Sequence, residues 1–123
     1  MSRIPIPLSI EAAPKASQPL LQAVHKMLGS VPNLFRLVSN SPAALEGYLS
    51  LSGALSKGTL PAPTHERIAL AIAEVNGCSY CLSAHTYLGK NLAKLDESEM
   101  NANRDGSSSD PKAAAAAGML RSS

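Results

Sequence analysis

Apolar residues recur three and four positions apart over most of the chain, which is the period of an α-helix. Prolines, glycines and capping residues interrupt this pattern and divide it into separate segments. The predicted helices run from Gln18 to Leu28, from Pro32 to Val38, from Pro42 to about Lys57, from Ala62 to Val75, from Ser79 to Leu92, from just after Asp96 to about Arg104, and from Lys112 to about Leu120.

Short capping signals mark the ends of these segments. Gly29 and Gly58 are predicted C-terminal stops. The N-terminal signals are Ser41 before Pro42, Asp96 with Glu99 three residues on, and Asp110 before Pro111. In the helix that begins at Pro42, the leucines Leu45, Leu49 and Leu55, together with Tyr48, are predicted to pack in the core.

Composition narrows the class of protein. Hydrophobic residues make up 45% of the chain and charged residues 16%, which is typical of an ordered globular domain. The net charge of +2 and the aromatic content of 3% argue against a nucleic-acid partner. No apolar run approaches the roughly 18 residues of a membrane span, and prolines interrupt the N-terminus where a signal peptide would lie. We therefore expect a cytoplasmic protein without a membrane partner.

The two cysteines fall at the predicted start of the helix Ser79–Leu92, and His85 follows Cys81 by one turn. A helix N-terminus presents unpaired N–H groups and a partial positive charge, which stabilise a thiolate. Thiols at Cys78 and Cys81 can close a disulfide after one of them is oxidised, and a nearby imidazole can move the proton. In a reducing compartment this pattern indicates redox or metal chemistry.

Glu66 lies on the preceding predicted helix. If the two helices form an antiparallel hairpin, Glu66 lies roughly 15 Å back from the turn and His85 about 10 Å down the other arm, at about 1.5 Å per residue. We therefore expect a contact between Glu66 and His85, direct or through water. The alternative is that Glu66 is a first-turn carboxylate favoured by the helix dipole.

The combination of Glu66, Cys78-Ser79-Tyr80-Cys81 and His85 resembles the signature of the alkylhydroperoxidase D-like branch of the carboxymuconolactone decarboxylase superfamily, and of its peroxidase-related members in particular. The flanking residues 31–35 and 109–112 are similar to segments that those members carry. The resemblance implies an all-α fold, an alkylhydroperoxidase D-like helical domain with the CxxC at the N-terminus of a central helix.

Ile4, Ile6, Leu8 and Ile10 alternate with prolines and polar residues, so we expect an extended arm at residues 1–17. The resemblance implies a single helical domain at residues 18–123. The family usually continues with further helices, so we expect the C-terminus at Ser123 to be truncated or altered.

The resemblance also implies a thiol-dependent peroxidase. In that family the residue at the position of Cys81 takes the peroxide oxygen and becomes a sulfenic acid, and the residue at Cys78 protonates the leaving group and then resolves. His85 and Glu66 match the proton relay. The implied partners are a small-molecule hydroperoxide, a thiol or disulfide reductant protein and further copies of the chain, with no metal or other cofactor. Some members carry a histidine where this chain has Tyr80, so a relay through that histidine is not available.

Other interpretations of the same residues stay open. A structural zinc site at Cys78, Cys81 and His85 would need a fourth ligand, and His25 and His65 stand alone in the sequence. The cysteines could be buried packing residues, or a redox sensor without turnover in an oligomer. The lactone decarboxylases of the superfamily generally lack the CxxC, so its presence disfavours decarboxylation.

Overall fold

The computed structural model describes Arg3 to Met119, which form seven α-helices and one turn of 3-10 helix at Lys15–Ser17. The helices are α1 (Gln18–Leu28), α2 (Asn33–Val38), α3 (Pro42–Leu55), α4 (Ala62–Val75), α5 (Ser79–Asn91), α6 (Glu97–Arg104) and α7 (Pro111–Met119). These described residues contain no β-strand, so the predicted all-α class is confirmed. No helix among them is long and apolar enough to cross a membrane. The predicted helix end at Leu120 and the expectation about Ser123 lie outside the described residues.

Most helix ends coincide with the capping residues that the sequence predicts. Gly29 follows α1 in the left-handed conformation, with φ of 75°, and its N–H donates to the His25 carbonyl. Ser41 accepts the N–H of Ala44 through its side chain at the start of α3. The side chains of Asp96 and Asp110 cap the starts of α6 and α7 in the same way.

The predicted end of α3 is wrong. The helix stops at Leu55 instead of about Lys57, and Gly58 is not among the residues with positive φ. The reason is local, because Ser56 and Lys57 both hydrogen-bond back into the last turn, so a left-handed glycine is not needed to close it. The Ser56 backbone N–H donates to the Ser52 carbonyl, and its hydroxyl donates to the Gly53 carbonyl at 2.8 Å.

The chain divides into two compact units, the first ending at Lys57. A small core of Ala13, Leu21 and Leu45 holds this first unit together. The described part of the predicted arm lacks regular helix as far as Pro14 and lies against its own unit, since Arg36 donates to the Leu8 carbonyl.

Two of the core residues predicted on α3 are exposed. Leu45 is fully buried and Leu49 is half-buried, whereas Leu55 is 61% exposed and Tyr48 is 44% exposed. The physical reason is that α3 buries only one of its faces within this unit. The hydrophobic period identified the apolar positions correctly but not the side of the helix that is covered.

The second unit, from Gly58 onward, contains α4 to α7 and all four candidate site residues. Helix α4 packs against α5, α6 and α7. The core of the second unit consists of Leu70, Leu95 and Met100, with Leu82 and Ala93 around them. A tight turn at Gly77, with φ of 61°, reverses the chain between α4 and α5 and produces the helical hairpin that the sequence predicts.

Two ion pairs join α4 to α6. Arg67 Nε donates to Glu99 Oε1 at 2.9 Å, with both side chains nearly buried. Arg104 Nε donates to Glu74 Oε2 at 2.7 Å, and both of these side chains are more than a third exposed. Glu74 is therefore part of an ion pair on the surface of the second unit.

Glu99 is expected to stabilise the second unit against acid. Burial raises the pKa of this carboxyl, but hydrogen bonds from Ser108, Ser109 and Asn103 outweigh it and lower the pKa from 4.5 to about 2. Because the folded pKa lies below the unfolded one, this stabilisation is present above pH 4.5 and is lost as the pH falls toward 2. Denaturant unfolding across that pH range measures the effect. Glu99→Gln should show the flatter profile, and identical profiles would contradict the assignment.

Candidate active site

Cys78 and Cys81 form a disulfide at the N-terminus of α5, with their Cα atoms 5.3 Å apart. Cys78 is the N-cap residue, and its backbone N–H donates to the Ala73 carbonyl across the turn. The Sγ of Cys78 accepts the backbone N–H of Cys81 at 3.2 Å. After reduction, this N–H and the positive end of the helix dipole favour a thiolate at Cys78.

His85 and Glu66 meet across the hairpin. The distance between His85 Nδ1 and Glu66 Oε2 is 2.8 Å, which is the direct contact that the helix geometry predicts. Both side chains are partly exposed, at 33% and 19%. With Glu66 as the acceptor, Nδ1 donates this hydrogen bond and Nε2 is the ring nitrogen that remains to accept a proton. The pair can therefore accept a proton at one fixed atom.

The four candidate residues thus make two contacts on the same helical hairpin. His85 is one turn after Cys81 on α5, and residues four apart lie on the same helix face. The first-turn alternative for Glu66 is wrong, since the first turn of α4 holds no acidic residue. Neither cysteine is fully buried, so neither is a packing residue enclosed in the core. No group of three or more metal-ligating side chains occurs in the described part of the chain.

Sequence reasoning missed two features of this region. One is the N–H of Cys81 on the sulfur of Cys78, which the N-cap position of a CxxC could have suggested. The other is the partner of Arg67, the residue that follows Glu66, because Glu99 lies 32 positions away in sequence. No local signal in the sequence points to that partner.

The family model described as carboxymuconolactone decarboxylase family matches residues 42–121, which include all of the helical hairpin. The chain belongs to the carboxymuconolactone decarboxylase family. This is the alkylhydroperoxidase D-like superfamily, so the predicted family and the predicted alkylhydroperoxidase D-like helical fold are confirmed. Members of the family are often enzymes. A search of curated proteins found no match.

Proposed function

We propose that this member of the carboxymuconolactone decarboxylase family is a thiol-dependent peroxidase. The observation that carries the proposal is the Cys78–Cys81 disulfide at a helix N-terminus beside a carboxylate-bound imidazole. The disulfide is one end state of a dithiol cycle, and the imidazole is a base within the same hairpin. A lactone decarboxylase has no use for a redox-active cysteine pair.

In the proposed cycle, His85 takes the proton of Cys81 through Nε2, and Glu66 stabilises the resulting imidazolium. The Cys81 thiolate attacks the distal oxygen of a hydroperoxide, which breaks the O–O bond and forms a sulfenic acid. Cys78 supplies the proton that the leaving alkoxide needs. The Cys78 thiolate then attacks the Cys81 sulfur and displaces hydroxide, to which the His85 imidazolium returns its proton, so that two cysteine thiols and one hydroperoxide give a disulfide, an alcohol and water.

The cycle requires a reductant that reopens the disulfide, and we propose a protein or small molecule that carries thiols. Thiol attack on one sulfur releases the other as a thiolate, and a stabilised thiolate leaves faster. Both cysteines are partly exposed, which leaves the disulfide within reach of such a reductant. No resident metal or organic cofactor has a part in the scheme, and the proposed site of action is the cytoplasm.

We also propose that the protein works as a homo-oligomer. The exposed side of α3 carries Tyr48, Leu51 and Leu55 at the spacing of one helix face, and each is more than two-fifths exposed. An apolar stripe of this kind favours burial against another surface. Light scattering of the purified chain measures the subunit count.

Peroxide oxidation of the cysteine pair tests the proposed function. One equivalent of an organic hydroperoxide should remove two hydrogens from the reduced protein within the mixing time of an intact-mass experiment. Peptide mapping with thiol alkylation should assign the loss to Cys78 and Cys81. Repeated turnover in the presence of a dithiol separates an enzyme from a redox sensor. Two free thiols that survive the peroxide would contradict the proposal.

A further inference from the structure

A second polar network begins one residue after Glu66, outside the cysteine site. The Glu99 carboxylate accepts Arg67 Nε at 2.9 Å, Asn103 Nδ2 at 3.1 Å, and the backbone N–H and hydroxyl of Ser109 at 3.0 and 2.8 Å. The hydroxyl of Ser108 donates to it as well. Arg67 is 13% exposed and Glu99 is 9% exposed. The proposed redox cycle uses none of these groups, although Arg67 is the sequence neighbour of the relay carboxylate.

The two neighbours on α4 are held by different helices. Successive residues of an α-helix diverge by about 100°, since there are 3.6 residues per turn. Glu66 therefore meets His85 on α5 while Arg67 meets Glu99 on α6. Because α4 moves as one body, a rotation that breaks one of these contacts also displaces the other.

A second ion pair further along also joins α4 to α6, but here the acidic residue is on α4 and the basic residue is on α6. Glu74 lies seven residues after Arg67, on the same helix face, and binds Arg104 on α6. Arg67 meets the start of α6 and Glu74 meets its end, so α4 and α6 run in the same direction. The Glu74 pair is exposed and contributes little, whereas the Arg67 pair is nearly buried and is costly to break. The Arg67–Glu99 pair therefore has the larger effect on the rotational position of α4 about its own axis.

We infer that Glu99, acting through Arg67, is a positioning residue that sets the rotation of α4 at which Glu66 meets His85. Arg67 is further tied to α7, because its Nη1 lies 3.7 Å from Oδ2 of the capping residue Asp110. The predicted effect of Glu99 on turnover rests on the proposed function. The predicted effect of Glu99 on the Glu66–His85 contact does not depend on that function. A shift of about 1 Å in a reacting group can lower a rate up to 100-fold, so a small rotation is enough.

A double-mutant cycle separates positioning from general stability. Glu99→Gln should lower kcat for hydroperoxide reduction by about 10-fold or more, with KM within about 2-fold. In a Glu66→Gln background, Glu99→Gln should change kcat by less than about 2-fold, because the Glu66 carboxylate that it would misplace is already absent. Glu74→Gln makes the same charge change in the exposed ion pair between α4 and α6 and should leave kcat within about 2-fold. Losses from Glu99→Gln and Glu66→Gln that multiply would overturn the inference.

The Nδ1 proton of His85 provides a readout that needs no peroxidase activity. In protein labelled with ¹⁵N-histidine, the hydrogen bond to Glu66 should protect this proton from exchange and give a resolved NMR signal. The signal should be lost in Glu99→Gln and kept in Glu74→Gln. Its persistence in Glu99→Gln would refute the positioning role whether or not the protein reduces peroxides. An inactive wild type that still shows this pattern would instead contradict the proposed function alone.

Arg67→Lys serves if Glu99→Gln does not fold. Lysine keeps the positive charge near Glu99 but lacks the Nε–H and the planar fork that hold α4 at one angle. We expect the same loss of the His85 signal with a smaller loss of stability. A folded Arg67→Lys variant with a wild-type signal and wild-type kcat would overturn the inference.

Discussion

Replacing Cys81 by serine should abolish hydroperoxide reduction, with a loss of at least about 1,000-fold in kcat/KM. The proposed cycle makes the Cys81 thiolate the nucleophile, and a serine hydroxyl at the same place is neither ionised near neutrality nor oxidised by peroxide. A stopped-flow assay with an organic hydroperoxide measures the rate. Circular dichroism should remain that of the wild type, because Cys81 lies in the first turn of α5 and is only half-buried.

Cys78→Ser is the matched control for this prediction. It should still react with one equivalent of peroxide and should then accumulate a sulfenic acid that a dimedone-type probe labels at Cys81. The backbone N–H of Cys81 favours a thiolate at Cys78, so the geometry also offers the reverse assignment of roles. If Cys81→Ser forms the labelled sulfenic acid and Cys78→Ser is inert, the two cysteines have exchanged roles.

Replacing Leu70 by alanine should lower the free energy of unfolding of the second unit by about 3 kcal/mol. Leu70 is fully buried at the centre of the cluster with Leu95 and Met100. Truncating its isobutyl side chain to a methyl group loses the transfer free energy of the removed atoms and leaves a cavity that the surrounding helices only partly fill, a cost of roughly 2–5 kcal/mol. Denaturant unfolding followed by circular dichroism measures the change.

Leu92→Ala is the matched control, because Leu92 follows α5 in the same unit and is 65% exposed. The same chemical change there should cost less than about 0.5 kcal/mol. Equal losses at the two positions would contradict the core described for this unit. A loss at Leu70 below about 1 kcal/mol would show that the cluster repacks around the vacancy.

Local signals predicted the hairpin well. Helices α4 and α5 begin and end within a residue of their predicted limits, because prolines near the start of α4 and Gly77 at the turn act within a few residues. The contact between Glu66 and His85 followed from helix rise and a single turn. A site on one hairpin is thus within the reach of sequence reasoning.

Sequence reasoning did not predict the features that depend on tertiary packing. Asp96 and Glu99 have the spacing of a capping box, but only the hydrogen bond from the Glu99 N–H to the Asp96 side chain forms. The Glu99 carboxylate binds Arg67 instead, since α6 packs on α4, and no local pattern encodes that packing. In the same way, the exposed Leu55 has the spacing of a core residue, because periodicity shows which face is apolar but not what covers it.

The disulfide joins residues only three apart in sequence, so its redox state should have little effect on the stability of the fold. A cross-link between residues three apart removes little freedom from the unfolded chain, whereas the bridges of secreted proteins close long loops and hold the fold together. Opening this bond should leave the helical hairpin standing, since Leu70 and the ion pairs of α4 lie outside the bonded turn. We therefore expect reduction of the disulfide to leave the free energy of unfolding of the second unit nearly unchanged.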